Sequence, residues 1–402
     1  MEFGMTPELK RIQTISRELA LDFAKRAAEH DRDATTPFEN YDAIRKAGLF
    51  SLVVPKEYGG MGAGLLGYVI SAEELAQGCP STALAFNMHA AVLAAILLTG
   101  PLSHETKKKI SDMVLKEGKL ISAVFSEPQF TGLIPSSYTC ATTARRVDGG
   151  VVVNGMKSFA TMVEAADLHF LIAHPEESSN PGETLCALIP SKLAGMRIDQ
   201  MWDTVGMRAT RSDNVHLENC FVADEYIMHE LLLPSLGGWL VANEHYFNLP
   251  YTAVYFGVGV AALNAAKETV WRRRPRGFSQ PLAYHPDVRR RIALASSQLD
   301  AARLMVYHSA WLMDTEGATD RSLSTYMKAK YLVGEAVAGT IRSALEMGGG
   351  HALLKGDPLE RLYRDGASAT IHHPPSDYCL SEVSRLDLGL DPAEIQPPVR
   401  KA

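Results

Sequence analysis

The sequence lacks most of the short signatures that announce a chemistry. Its five cysteines, Cys79, Cys140, Cys186, Cys220 and Cys379, are scattered, odd in number and form no Cys-x-x-Cys pair. That pattern argues against a disulfide framework and predicts buried or idle thiols in a reducing, cytoplasmic compartment. No Gly-x-Gly-x-x-Gly follows a strand and opens a helix, so a Rossmann-type dinucleotide site is not expected. The phosphate-loop, zinc-protease and nucleophile-elbow motifs are missing as well. The adjacent pair His372-His373 has no acidic or Cys partner at ligand spacing, and neighbouring residues diverge on a helix or a strand, so no metal is expected. Met1–Arg11 has no apolar core of the kind that marks a leader. The longest uncharged stretch, Asn248–Ala266, contains Thr252, two glycines and Asn264. It reads as a buried helix rather than a membrane span.

An excess of positive charge is also absent. Forty Lys and Arg against 46 Asp and Glu leave a net charge of −6 and a pI near 6.1, which argues against nucleic acid as the main partner. What is present is ample apolar material: 46% hydrophobic and 21% charged residues over 402 positions. A chain of that length holds roughly two to four domains of about 100–200 residues.

Periodicity divides it into three. In the first part Ile12, Ile15, Leu19, Phe23 and Ala27 recur at helical spacing, after a start at Thr6-Pro7. Helices are expected over Tyr41–Gly48, Gly67–Gln77, Ser81–Leu98 and His104–Lys116. The period then changes. Two β-rich runs flank Asp148-Gly149-Gly150 within Thr139–Thr161, a hairpin signal. Further short strands are expected at Leu168–His174, Thr184–Ile189, Met196–Met201 and Asn214–Val222. The helical period returns from Gly237, with a long helix opening at His285-Pro286-Asp287 and another over Asp320–Glu346. The expected class is α+β: an N-terminal helical domain over 1–119, a central β-barrel-like domain over 120–225, and a C-terminal four-helix bundle over 226–402.

Three segments could carry chemistry. Val54-Pro55-Lys56-Glu57-Tyr58-Gly59-Gly60-Met61-Gly62 is a rigid glycine-rich turn. Ser126-Glu127-Pro128 ends one strand, and Lys157-Ser158-Phe159-Ala160-Thr161 ends another. A hydroxyl and an aromatic at neighbouring strand ends suit a flat apolar ring, one bonding its heteroatoms and the other covering a face. Gly348-Gly349-Gly350, followed by Leu362-Tyr363-Arg364-Asp365, could admit a phosphate or simply cap a helix.

In order, VPKEYGGMGAG, SEP, VNGMKSFAT, GMR, GGG and LYRD resemble the acyl-CoA dehydrogenase family over nearly the whole chain. The resemblance implies FAD at the junction of the β domain and the C-terminal helices, in a homo-oligomer, a tetramer or a dimer. It implies α,β-dehydrogenation of an acyl thioester, with electrons passed to an electron-transfer flavoprotein. By motif, Ser126, Phe159 and Thr161 would meet the flavin ring, and Gly349 and Gly350 the FAD of a neighbouring subunit. The diphosphate motif is replaced by Arg274-Pro275-Arg276-Gly277-Phe278-Ser279, leaving Arg274 or Arg276 for that role, with Phe278 also expected at the cofactor.

Two departures bear on the reaction. The run after SEP reads Gln129-Phe130-Thr131-Gly132-Leu133 instead of Gly-Ser-Asp. The family's catalytic Glu position, nine residues after Arg364, holds His373. The alternative Glu position on the helix after the β domain holds Leu249, with Glu244 five residues earlier. Removing the α proton of a thioester needs a positioned base, so His373, His372 and Glu244 are the candidates. A histidine pair also suits a flavin-dependent monooxygenase of this fold, using a flavin peroxide and a separate flavin reductase. His89 would then be a second histidine near the flavin, or else a satisfied core residue. A third reading is a non-catalytic binding protein on the same fold.

Overall fold

The computed structural model describes residues 5–128, 139–234 and 243–391. Six helices come first: α1 (Pro7–Phe23), α2 (Ala27–Asp33), α3 (Phe38–Lys46), α4 (Leu65–Gly78), α5 (Pro80–Ala94) and α6 (His104–Leu115). Local chemistry sets their ends. The Thr6 hydroxyl accepts from the amide of Leu9, and Pro7 fills the first turn, where no backbone donor is needed. Helix α5 is apolar all round and is packed on all sides as a core helix.

Among the described residues eight strands follow: β1 (Ile121–Val124), β2 (Thr143–Val147), β3 (Gly150–Ala160), β4 (Leu168–Pro175), β5 (Thr184–Pro190), β6 (Met196–Asp199), β7 (Asp213–Ala223) and β8 (Ile227–Leu233). They form one mixed sheet in the order β6-β7-β3-β2-β4-β5-β8, with β1 added beside β4. The path is open: β6 and β8 are its ends. Strand β8 pairs with β5 and carries the sheet to Leu233, past the expected boundary at residue 225. Its burial alternates only in the second half, Leu231 and Leu233 inward with Glu230 and Leu232 outward; buried Met228 and exposed His229 break the pattern before that, and the apolar Leu232 on the outer face blurs the period-two signal.

Among the described residues that follow, five α-helices are present: α7 (Glu244–Arg272), α8 (Pro286–Glu316), α9 (Asp320–Gly348), α10 (Pro358–Gly366) and α11 (Ser376–Leu388). Thr319 and Ser322 make a reciprocal capping box at the start of α9. Helix α7 packs against α4, α8 and α9, and α11 lies on α9, so the bundle and the N-terminal helices share one core. The segments Pro80–Thr99 and Glu244–Arg272 are long and apolar enough to cross a membrane, but 83% and 78% of their apolar windows are buried inside the protein.

Candidate functional site

The candidate site draws on a strand rim and a buried helix face. On β3, Lys157 pairs with Val215 and Ala160 with Asp213, so β3 uses one more residue than β7 between those two pairs. That bulge turns Phe159 out of the sheet. Phe159 holds a positive φ of 52°, is 60% exposed, and meets Trp202 edge-on with centroids 5.9 Å apart. A non-glycine residue in left-handed backbone costs about 1–3 kcal/mol and is kept where the surroundings over-determine it, often at functional sites. Around it stand hydroxyls. The Thr161 and Ser212 oxygens lie 2.8 Å apart. The Ser158 hydroxyl is buried with no partner, while its amide donates to the carbonyl of Ser126 at 2.9 Å. An uncovered aromatic face beside an unsatisfied buried hydroxyl suits a flat heteroaromatic ring, which would supply both a stacking face and a hydrogen-bond partner.

The helix wall is α7. Glu244, Asn248, Tyr251 and Tyr255 follow at helical spacing on one face. The Tyr251 hydroxyl donates to Asn248 Oδ1 at 2.8 Å, and Asn248 Nδ2 donates to Glu244 Oε1 at 3.4 Å. His372 stacks flat on Tyr251, with centroids 4.3 Å apart and planes 2° from parallel. Its Nδ1 lies 2.9 Å from the Tyr255 hydroxyl. Burial, with Lys330 and His373 nearby, drives the His372 pKa down to about 3, so this imidazole is neutral and held. His373 is half-buried, its ring 6.0 Å from that of Tyr378. Burial, with the Glu382 carboxylate adding to it, pushes Glu244 up to about 8. Lys330, buried on α9, donates to the carbonyl of Ala369 at 2.7 Å just ahead of the histidines. Burial pulls its ammonium down to about 8.

Two contacts bring the walls together. Phe125, beside Ser126, meets Phe247 of α7 edge-on at 5.5 Å. The amide of Met207 donates to Asp365 Oδ1 at 2.8 Å, and Gly206 lies so close to α10 that an added Cβ would sit 2.1 Å from the carbonyl oxygen of Arg364. Arg364 in turn forks onto Asp31 at 3.0 and 2.6 Å.

The remaining sequence candidates are less engaged. Arg274, Arg276 and Phe278 are exposed on the loop after α7. Their neighbour Arg273, which the motif comparison passed over, donates to the carbonyls of Met347 and Gly348. It lies against Gly349, where an added Cβ would meet its Nη1 at 3.1 Å. Gly349 has a φ of 64°, and Gly350 has open space around it. The sequence could have flagged Arg273 only by its place in a run of three arginines. His89 is a core residue rather than a partner for a flavin. Its Nδ1 accepts from the amide of Ile121 at 3.0 Å, and its Nε2 donates to the carbonyl of Phe50 at 3.1 Å. With both nitrogens committed, and burial holding its pKa near 4, it has no free valence. The run Gln129–Leu133 lies outside the described residues. All five cysteines are free and buried.

A helical unit, a sheet whose bulged rim presents an aromatic and hydroxyls, and a helical bundle give the architecture, and the family match that follows makes the class an oxidoreductase that uses flavin. Profiles for the N-terminal, middle and C-terminal domains of acyl-CoA dehydrogenase match residues 6–116, 122–220 and 237–384. The chain belongs to the acyl-CoA dehydrogenase family. It is 30% identical over 363 residues to the putative acyl-CoA dehydrogenase YdbM of Bacillus subtilis (strain 168), covering 89% of this chain and 91% of YdbM. It is 28% identical to the 3-(aryl)acrylate reductase of Clostridium sporogenes (strain ATCC 15579), over 90% of this chain and 94% of that one. Among solved structures, FMN-bound TdsC from Paenibacillus sp. A11-2 superposes with a TM-score of 0.84 at 24% identity, covering 94% of this chain and 97% of that one. At that identity the likeness concerns the fold.

Proposed function

We propose that the chain uses FAD to dehydrogenate an acyl thioester across its α and β carbons, with His373 as the proton acceptor. The observation that carries this reading is Phe159, strained and uncovered beside the unpartnered Ser158 hydroxyl. Phe159 would cover one face of the flavin, and Ser126, Ser158 and Thr161 would bond its edge. The glycines Gly349 and Gly350, with an arginine of the run 273–276, would meet the distal part of FAD or that of a neighbouring subunit. Bound there, the flavin supplies a hydride acceptor for the β carbon.

The chain's own residues do the rest. Lys330 fixes the carbonyl of Ala369 and Tyr255 fixes the ring of His372, so the turn bearing His373 is held from both sides. His373 takes the α proton as the hydride leaves the β carbon, and an α,β-unsaturated thioester results. Glu244 keeps its proton at neutral pH and therefore donates a hydrogen bond, to the substrate or to its surroundings, rather than accepting a proton. An electron-transfer flavoprotein would be the partner that accepts the electrons. A cytoplasmic homo-oligomer, tetramer or dimer, fits the family pattern.

A monooxygenase is the second reading. The specific observation in its favour is that the pair His372-His373 occupies the position where dehydrogenases place a carboxylate. One experiment separates them: titration of the purified flavoprotein with a panel of acyl-CoAs under argon. Bleaching of the oxidised flavin spectrum supports the dehydrogenase. No bleaching by any member, together with rapid reoxidation of the reduced protein by oxygen and consumption of an added oxidisable substrate, replaces it with the monooxygenase. A protein with no affinity for FAD or FMN would favour a non-catalytic role.

A further inference from the structure

Glu127 directly follows Ser126, and Lys157 directly precedes Ser158-Phe159. Their side chains are 1% and 0% exposed and make an ion pair of 2.7 Å, thirty residues apart in sequence. Cys140 completes a triangle. Its thiol donates to Glu127 Oε1 at 3.1 Å and accepts from Lys157 Nζ at 3.3 Å. The second oxygen of Glu127 accepts the amide of Ala141 at 2.7 Å, and the first also takes that of Thr142 at 3.0 Å. No other pair of opposite charges among the described residues is as deeply buried on both sides.

A pair this deep is poor economy for stability alone. Desolvating two charges offsets most of their attraction, and an apolar pair of similar volume often does as well. What an ion pair adds is a fixed distance and direction. Here it ties the end of β1 to the point on β3 where the bulge begins, and the same two strand ends are joined by the bond from the Ser158 amide to the Ser126 carbonyl. We propose that Glu127, Lys157 and Cys140 form a positioning clamp that sets the spacing between the Ser126 hydroxyl and the Phe159 ring, and so the seat of the flavin. This rests on the assignment of those residues to the flavin. Burial alone would raise the Glu127 carboxyl. The Lys157 ammonium and the Thr142 and Ala141 donors outweigh it and hold the group at about 2, so the Glu127 carboxylate stays ionised across the working pH range. Burial raises the Cys140 thiol to about 11, so it keeps its proton.

The test compares full-length protein with the double variant Glu127→Gln/Lys157→Met, which removes both charges together. Three quantities are read: thermal midpoint of the flavin-free protein, Kd for FAD by fluorescence quenching, and the visible circular dichroism of bound FAD. The clamp predicts a near-native flavin-free midpoint, a Kd weakened about tenfold or more, and an altered visible dichroism, because a loosened supporting shell misplaces the groups it holds. Native Kd and native dichroism in the double variant would overturn it. If the double variant does not fold, Cys140→Ala, which leaves the ion pair whole, is read in its place. A Kd raised about threefold with changed dichroism supports the clamp, and native values for both overturn it. Should the unaltered protein bind neither FAD nor FMN, the flavin site itself is wrong and the clamp falls with it.

Discussion

Replacing Glu244 by Gln should stabilise this protein, and by more as the pH rises. Glu244 sits 7% exposed at the head of α7, with the amide of Asn248 at 3.4 Å as its hydrogen-bond donor and the Glu382 carboxylate nearby. An ordinary Glu ionises near 4.5, whereas burial moves this one to about 8 in the fold. The sign follows from proton counting. Between those two pH values the folded form keeps the proton and the unfolded form has lost it, so folding takes up a proton and stability falls as pH rises. At about 1.4 kcal/mol per pH unit the full loss by pH 8 is at most about 5 kcal/mol, and water entering the site reduces it. A Gln there has nothing to ionise. The thermal midpoint of the variant, minus that of the native protein, should therefore be small at pH 5 and grow steadily to pH 8. In the native protein at pH 7, an infrared band of a protonated carboxyl should be present that the variant lacks. A midpoint difference that is flat from pH 5 to 8, with no such band, would refute the argument. Glu244 would then be an ordinary carboxylate with an acceptor's chemistry, and the assignment of the base would move to α7.

Other outcomes follow from the same contacts. His373→Ala should lower turnover about 10²–10⁴-fold, as loss of a general base does, and by more than Glu244→Ala; steady-state rates on whichever acyl thioester bleaches the flavin decide the order. Phe159→Gly should leave the flavin-free protein as stable or about 1 kcal/mol more stable, since it removes an exposed ring and a strained backbone, while FAD affinity falls; calorimetry and fluorescence titration read the two effects separately. Gly206→Ala should destabilise by about 3 kcal/mol or more, because its Cβ would lie 2.1 Å from the Arg364 carbonyl; a native denaturation midpoint would contradict the close approach. His89→Leu strands the Ile121 amide and the Phe50 carbonyl, each costing about 1–3 kcal/mol, so urea unfolding should shift while the substrate turnover of the remaining folded enzyme does not.

Much of the architecture was legible because helix ends in this chain are written in capping residues. Thr6 and His285, the two starts read in the sequence, each accept an amide hydrogen at a helix start, and a cap is a one-residue signal that survives without tertiary context. The hairpin turn at Asp148-Gly149 was legible for the same reason, with Gly149 at a φ of 72°. Strand β8 was not, since its apolar run gives no alternation to read. The candidate site could be read from sequence only where its proposed residues stand next to one another, as in Ser158-Phe159. It was not legible where geometry joins distant positions. Nothing in the chain announces that Lys157 meets Glu127, that Lys330 braces Ala369, or that Tyr251 is the surface on which His372 rests. Each of those partners is a common residue at an unremarkable place, and only folding gives it a role. His89 was open to two readings, a second histidine near a flavin or a satisfied core residue, and the bonds of both its nitrogens decide for the core residue.

One guanidinium has a wider reach than its place in a motif suggests. Arg364 grips Asp31 in the first helical unit and Glu360 within its own helix. It also donates to the carbonyl of Val205 in the loop that leads from β6 toward β7. The three parts are therefore pinned at a common node, and they should lose amide protection together rather than in succession. A chain assembled from three structural units would then melt as one, and protease nicking in any connecting loop would release no piece able to stand by itself.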